Sequence, residues 1–153
     1  MSRLARSGPE AVALAIWYHD AIHRPRAGDD EEASAQLAKE RLGAAGVPGP
    51  VVENVVALIL HTRHAELPPP GDPALLVDID LAILGAEPER YAEYERGIRQ
   101  EYRWVPKVIY RSKRAAVLRG FLDRDRIYST DFFRKQLEAK ARANLTLAVT
   151  ALL

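Results

Sequence analysis

The sequence feature that most constrains the fold is an adjacent His19-Asp20 pair that closes an apolar run at residues 11–16. The apolar run alone predicts an ordinary buried helix. A carboxylate buried beside an imidazole costs free energy unless it is paired or bound to a metal ion. The fold must therefore bring other polar side chains to this pair.

Proline and glycine residues divide the rest of the chain into segments whose apolar spacing is typical of helices. No segment alternates apolar and polar residues for long enough to form a strand. The sequence therefore predicts an all-α fold, a single helical bundle of about six to seven helices spanning residues 1–153. The predicted helices cover about residues 7–23, 29–43, 48–64, 74–84, 88–105, 108–122 and 130–152.

Apolar positions within these helices indicate their packing. On the first helix, Val12, Ile16, His19 and His23 follow an i, i+4, i+7, i+11 spacing and are expected to share one face. The third helix is apolar nearly all round and is expected to be a central element. The last two helices are expected to contribute Val117, Leu118, Phe121, Leu122, Phe132, Phe133, Leu137, Leu145, Ala148 and Leu152.

Composition excludes several classes of protein. The chain has no cysteine, which excludes disulfides and thiolate metal sites and suits a cytoplasmic protein. No apolar run reaches the ~20 residues of a membrane-spanning helix. Arg3 and Arg6 are not followed by the apolar region of a secretory signal. We expect a cytoplasmic location and no membrane association.

Charge is distributed unevenly, because residues 1–95 carry 8 Lys/Arg and 16 Asp/Glu whereas residues 96–153 carry 14 and 5. Neighbouring acidic and basic helices explain this asymmetry, and so does a basic wall that attracts an anion such as a phosphate ester. Arg111, Lys113 and Arg114 are candidate phosphate contacts or solvated surface residues. Aromatic residues are not interleaved with the basic ones, so nucleic acid is not an expected partner.

Polar groups whose burial costs free energy also lie in two other apolar segments. Asp78 and Asp80 lie ~200° apart around a helix axis, so they cannot both face one centre. One of them is expected to meet a metal ion or a histidine. His61 and His64 close the third helix on one face. Imidazole and carboxylate groups together suit Zn, Mn, Fe or Mg, and three such features on separate helices predict a metal site.

These residues resemble the HD superfamily of metal-dependent phosphohydrolases, whose signature is a histidine, an adjacent His-Asp pair and a distant aspartate on an all-helical fold. Residues 15–22 are similar to the pair's helix in a bacterial branch of predicted HD-domain hydrolases. The similarity continues through residues 29–34, 62–64 and 77–85, and through scattered positions between residues 101 and 145. It covers almost the whole chain.

The resemblance implies a role for each of these residues. His19 and Asp20 match the metal-binding pair, and Asp80 matches the distal ligand because it precedes an apolar run as the family's aspartate does. His64 matches a third-position histidine of this branch, an implied metal or substrate-phosphate contact. Asp78 is then a supporting or structural carboxylate. The implied cofactor is a divalent ion, one of Mn, Mg, Zn, Fe, Co or Ni.

One element of the family signature is missing. The family's first histidine lies on a helix N-terminal to the pair, but none of the eighteen residues before His19 is a histidine. Three explanations are open: a start site assigned too late, a truncated form with a weakened metal site, or replacement of the ligand by His23 or His61. A missing helix would expose apolar surface, so a homodimer is expected.

Two functions follow from the resemblance. The first is hydrolysis of a phosphate ester or nucleotide-like small molecule. In it His19, Asp20 and Asp80 hold the metal ion, Asp20 serves as general base and His64 offsets phosphoryl charge. The alternative is a degenerate, non-catalytic helical module of the same fold with an incomplete metal site.

Overall fold

The computed structural model of the protein describes residues 8–24, 26–64 and 66–153. Within these ranges all regular secondary structure is helical and no strand occurs, so the all-α prediction is confirmed. Each helix begins within two residues of its predicted start. The elements are α1 (Pro9–Tyr18), α2 (Asp30–Ala44), α3 (Gly49–His61), α4 (Asp72–Asp80), a 3-10 helix (Leu81–Gly85), α5 (Pro88–Glu101), α6 (Lys107–Leu122) and α7 (Asp131–Leu152). Across the described ranges, none of these helices combines the length and apolar character that crossing a bilayer requires.

The chain folds into two compact units, of which the first ends at Asp80 and the second begins at Leu81. In the first unit α3 packs against α1, α2 and α4, which confirms it as a central element of that unit. The prediction of a single domain over residues 1–153 stays a prediction. The core of the first unit contains Ala11, Val12, Ala15, Ala35, Ala38, Leu42, Val52, Val55, Leu58, Ile59 and Leu76.

α1 is shorter than the sequence predicts. It ends at Tyr18 instead of near residue 23, so His19 and His23 lie beyond its end. The prediction that Val12, Ile16, His19 and His23 share one helical face is therefore wrong. The buried side is formed by Val12 together with two small alanines, while Ile16 is 38% exposed.

The physical reason for the early end of α1 lies on α2. The hydroxyl of Ser34, a completely buried residue, accepts a hydrogen bond from the backbone N–H of Ile22 (3.1 Å). The same hydroxyl lies 3.4 Å from the carbonyl oxygen of Ile22 and donates to it. A side-chain hydroxyl thus supplies the partners that a continued helix would have supplied.

α4 also ends earlier than predicted, because the helix over residues 74–84 changes to 3-10 geometry after Asp80. In the second unit the hydroxyl of Tyr128 donates to the carbonyl oxygen of Leu81 (2.9 Å). The amide of Asn144 donates to the carbonyl oxygens of Leu84 and Ala86 (2.9 Å each). Carbonyl groups engaged by side chains no longer need α-helical partners, which permits the tighter turn.

The predicted core faces of the last two helices are partly wrong. Leu118 and Leu145 are completely buried as expected, but Val117 is 51% exposed and Phe132 is 68% exposed. On α6 the buried positions are Tyr110, Ala115 and Leu118. The burial pattern follows the face that packs against α7, which the apolar spacing alone did not identify.

Candidate metal centre

Asp80, the last residue of α4, is contacted by two histidines from other parts of the first unit. Its Oδ1 lies 3.1 Å from Nε2 of His19, and its Oδ2 lies 2.8 Å from Nε2 of His64. The three side chains are 23%, 17% and 22% exposed, so they are largely withdrawn from solvent. The fold thus gathers residues that are up to 61 positions apart in the sequence.

The end of α1 sets the ring orientation of His19. Nδ1 of His19 lies 2.7 Å from the carbonyl oxygen of Ile16. A carbonyl oxygen only accepts hydrogen bonds, so Nδ1 carries a proton and donates it. Nε2 then faces the carboxylates of Asp20 (3.2 Å) and Asp80 (3.1 Å). Metal-binding imidazoles usually donate their second nitrogen to a carbonyl or carboxylate in this way.

His19, Asp20 and Asp80 form a group that we call the His-Asp-Asp cluster. One potential ligand atom from each lies within 4.8 Å of the others, and no other group of this kind occurs in residues 8–24, 26–64 and 66–153. One imidazole nitrogen and two carboxylate oxygens suit Zn²⁺, Mn²⁺ or Fe²⁺. Asp20 is 81% exposed, so the cluster opens to solvent on that side. These residues fit a divalent ion that keeps a coordination position for water or substrate.

His64 reaches Asp80 from an uncommon backbone conformation. Its φ is +56°, and no other non-glycine residue of the described ranges has a positive φ. This left-handed conformation costs an L-residue on the order of 1 kcal/mol, and such residues concentrate at functional sites. The turn is anchored by the buried Thr62, whose hydroxyl donates to the carbonyl oxygen of Ile59 (2.6 Å).

Contacts within and beside the cluster shift the pKa values of His19 and Asp80 in opposite directions. Hydrogen bonds to Asp20 and Asp80 outweigh burial and raise the pKa of His19 to about 10. Burial alone would raise the pKa of Asp80, but hydrogen bonds from His19 and His64 outweigh it and lower that pKa to about 2. Imidazolium and carboxylate are therefore the stable forms of this pair in the metal-free protein. A metal ion that binds Nε2 must displace its proton.

Three other residues proposed as ligands or supports do not belong to the His-Asp-Asp cluster. His23 lies in the turn after α1, where its Nδ1 is 3.5 Å from Oδ2 of Asp30. His61 is the half-buried last residue of α3, and His64 lies in the turn beyond it, so the prediction that the two histidines share one face of that helix is wrong. Asp78 is completely buried on α4, whereas Asp80 meets the histidines, as expected for two carboxylates on different sides of one helix.

The candidate phosphate contacts lie on α6, in the second unit. Arg111 donates from Nε to the carbonyl oxygen of Leu152 (2.7 Å). Arg114 binds Glu95 through two nitrogens, at 3.2 and 2.6 Å, so that its charge is neutralised. Lys113 is exposed. Phosphate binding by these residues stays a prediction.

Sequence reasoning missed two contributions to the first unit. Ser34 holds the loop that follows the His-Asp pair, and its only sequence signal is a small polar residue among the apolar positions of α2. Arg63, next to His64, forms an ion pair with Glu32 of α2. The acidic start of α2 suggests helix capping, but no side-chain cap forms there.

Comparison with known proteins gives no relative: no family model, no curated protein and no solved structure matches this chain. The fold and the site therefore define the protein only as an all-helical protein with a candidate metal centre.

Proposed function

We propose that this protein is a metal-dependent phosphohydrolase of the HD superfamily that acts on a phosphate ester or nucleotide-like small molecule. The observation that carries the proposal is the His-Asp-Asp cluster, with its ligand atoms within 4.8 Å of one another and one side open to solvent. A cytoplasmic location and a homodimer are part of the same proposal.

In this proposal each residue of the cluster, and His64 beside it, has a distinct task. A divalent ion held there supplies Lewis acidity toward a phosphoryl oxygen and promotes the ionisation of water. His19 offers Nε2 because Ile16 holds the proton on Nδ1. Asp80 fixes the position of both histidines. Asp20 has solvent beside its carboxylate, which supports a role as the base that accepts the proton of the attacking water. His64 offsets charge on the phosphoryl oxygens.

A second candidate is a non-catalytic helical module. It is favoured by the contact between His64 Nε2 and Asp80 Oδ2. Because His64 binds a carboxylate of the cluster, it is not a fourth ligand, and only three ligand residues remain. In such a protein the ionised His19–Asp80 pair would be structural. It would bind divalent ions weakly and would not hydrolyse phosphate esters.

The experiment combines metal analysis with an activity screen. Protein stripped with EDTA is reloaded with Mn, Fe(II), Co, Ni, Zn or Mg and assayed with p-nitrophenyl phosphate and nucleoside monophosphates. We expect one or more ions to bind stoichiometrically and to restore activity. Asp80→Asn and His19→Gln should lower kcat/KM by at least ~100-fold, because both remove ligand atoms.

Glu53→Gln is the matched control, since Glu53 is an exposed carboxylate on α3 outside the cluster. Its activity should equal that of the unmodified protein. Activity that survives Asp80→Asn would contradict the proposal. Stoichiometric metal binding without any hydrolysis would favour the non-catalytic module.

A further inference from the structure

A cavity of about 220 Å³ lies in the second unit between α5, the turn that follows it, and α6. Its walls are mainly apolar and include Ile98, Val105 and Val117. An engineered apolar cavity of about 150 Å³ binds benzene. The cavity of this protein is larger but opens to solvent beside Val117, which is 51% exposed, so it has room for one aromatic ring whose small substituent faces the opening.

Tyr110 lines the cavity, and 8% of the residue is exposed. Its hydroxyl forms no hydrogen bond with any described residue and is accessible to solvent, so it is available to donate to a ligand. The ring is held by the guanidinium of Arg99, 4.6 Å from its centroid, which also donates to the carbonyl oxygens of Tyr102 and Val105. The hydroxyl is thus a fixed polar group at a cavity wall.

The charge of the lining comes mainly from one side chain. Arg114 also lines the cavity, but Glu95 neutralises it through two contacts at 3.2 and 2.6 Å, and both side chains are less than 20% exposed. Lys113 lines the cavity too, and it forms no hydrogen bond or ion pair with any described residue. With Arg114 neutralised, Lys113 gives the lining a positive charge, and the Arg99 guanidinium on the Tyr110 ring adds to it, which favours an anion.

We propose that this cavity binds a small aromatic monocarboxylate. The ring of the ligand contacts Ile98, Val105 and Val117. Its carboxylate accepts a hydrogen bond from the Tyr110 hydroxyl and pairs with Lys113. A few well-placed polar groups on an apolar wall are what orients small ligands in proteins. This site lies wholly in the second unit and does not depend on the metal-centre proposal.

The test uses the full chain and benzoate as the probe. Titration is followed by amide chemical shifts, and we expect saturable changes concentrated in α5 and α6. Benzamide has the same shape without the charge and should bind at least ~10-fold more weakly. Phenyl phosphate carries a second charge and a larger head, and it should also bind more weakly. Tighter binding of either analogue, or no saturable change at ~10 mM benzoate, overturns the proposal.

Three variants of cavity residues and one control test whether benzoate binds in this cavity. Lys113→Gln should weaken benzoate binding ~10-fold and remove the preference over benzamide. Val117→Phe should abolish binding by filling the cavity, and its 51% exposure makes the larger side chain tolerable. Tyr110→Phe should weaken benzoate binding ~5-fold. Lys107→Gln, an exposed position on α6 outside the cavity, is the control. Unchanged affinity in both Lys113→Gln and Val117→Phe overturns the proposal.

Discussion

Each unit of this protein contains a largely buried acid–base group, and the two groups differ in the base. In the first unit His19 lies between Asp20 and Asp80 at 3.2 and 3.1 Å. In the second unit Arg114 binds Glu95 through two nitrogens. Histidine can lose its proton and offer a lone pair to a metal ion, whereas arginine stays charged and has none to offer.

The two groups also differ in how far protein atoms surround them. Glu95 also accepts a hydrogen bond from the Tyr91 hydroxyl (2.8 Å), and the Arg114 guanidinium lies 5.7 Å from the centroid of the Tyr94 ring. The charged groups of Arg114 and Glu95 are therefore engaged by protein partners. Asp20 remains 81% exposed beside His19. A buried pair of opposite charges therefore indicates a chemically active site only where one partner is a titratable base and solvent can reach it.

The largest effect is expected when the second-unit pair is broken. Arg114→Met leaves Glu95 partly buried without its counter-charge and should lower the free energy of unfolding by about 3–5 kcal/mol. Urea denaturation measures this change. Glu93→Gln breaks an exposed ion pair with Arg90 and should cost less than about 1 kcal/mol. Equal losses in the two variants would show that the Glu95–Arg114 pair is not structural.

A metal ion should stabilise the first unit through the His-Asp-Asp cluster. A ligand at 100 times its Kd stabilises a protein that binds it only when folded by about 2.7 kcal/mol. We expect Mn²⁺ at that excess to raise Tm in the unmodified protein and in Glu53→Gln. Asp80→Asn should show no rise, and a rise of equal size there would place the ion elsewhere. Thermal denaturation with and without EDTA provides the measurement.

The pH dependence of the metal-free protein separates the two acid–base groups further. Because the pKa of His19 is raised from 6.5 to about 10, its contribution to stability is complete below pH 6.5 and is lost as pH rises toward 10. Because the pKa of Asp80 is lowered from 3.8 to about 2, its contribution is complete above pH 3.8 and is lost as pH falls toward 2. Stability should therefore be greatest between about pH 4 and 6.5.

The measurement is the free energy of unfolding in urea and EDTA at pH 5, 7 and 9. We expect a decline from pH 5 to pH 9 in the unmodified protein and a shallower decline in His19→Gln, which has no imidazole to lose a proton. Arg114 stays protonated over this whole range and should contribute no slope. Identical slopes in the unmodified protein and His19→Gln would rule out His19 as the source.

The smallest effect is expected at Ser34. Ser34→Ala removes the partner of the Ile22 backbone N–H and should cost about 1–2 kcal/mol. It should also weaken metal binding, since Ile22 lies three residues beyond His19. Ser112→Ala, at an exposed position on α6, is the control and should change neither quantity. A loss of stability with unchanged metal affinity would make Ser34 purely structural.

Much of the fold was predictable because helix signals are local. The prolines at positions 9, 50, 73 and 88 lie at the first turns of helices, and every helix begins within two residues of its predicted start. Helix ends were less predictable. α1 stops because Ser34, on another helix, bonds to Ile22. The 3-10 helix forms after Asp80, where Tyr128 and Asn144 engage the carbonyl groups of Leu81 and Leu84.

The sequence by itself determined which groups were too costly to bury alone: the His19-Asp20 pair and the two carboxylates of α4. It also determined that Asp78 and Asp80 diverge, because helix geometry separates them by ~200°. Helix geometry left open which of the two carboxylates meets a histidine, and the family resemblance selected Asp80. The tertiary structure brings Asp80 into contact with His19 and His64, and it alone decided that Arg114 is neutralised by Glu95. The physical reason is that backbone periodicity is set by near neighbours, whereas a buried charge is stabilised by partners that arrive from distant parts of the chain.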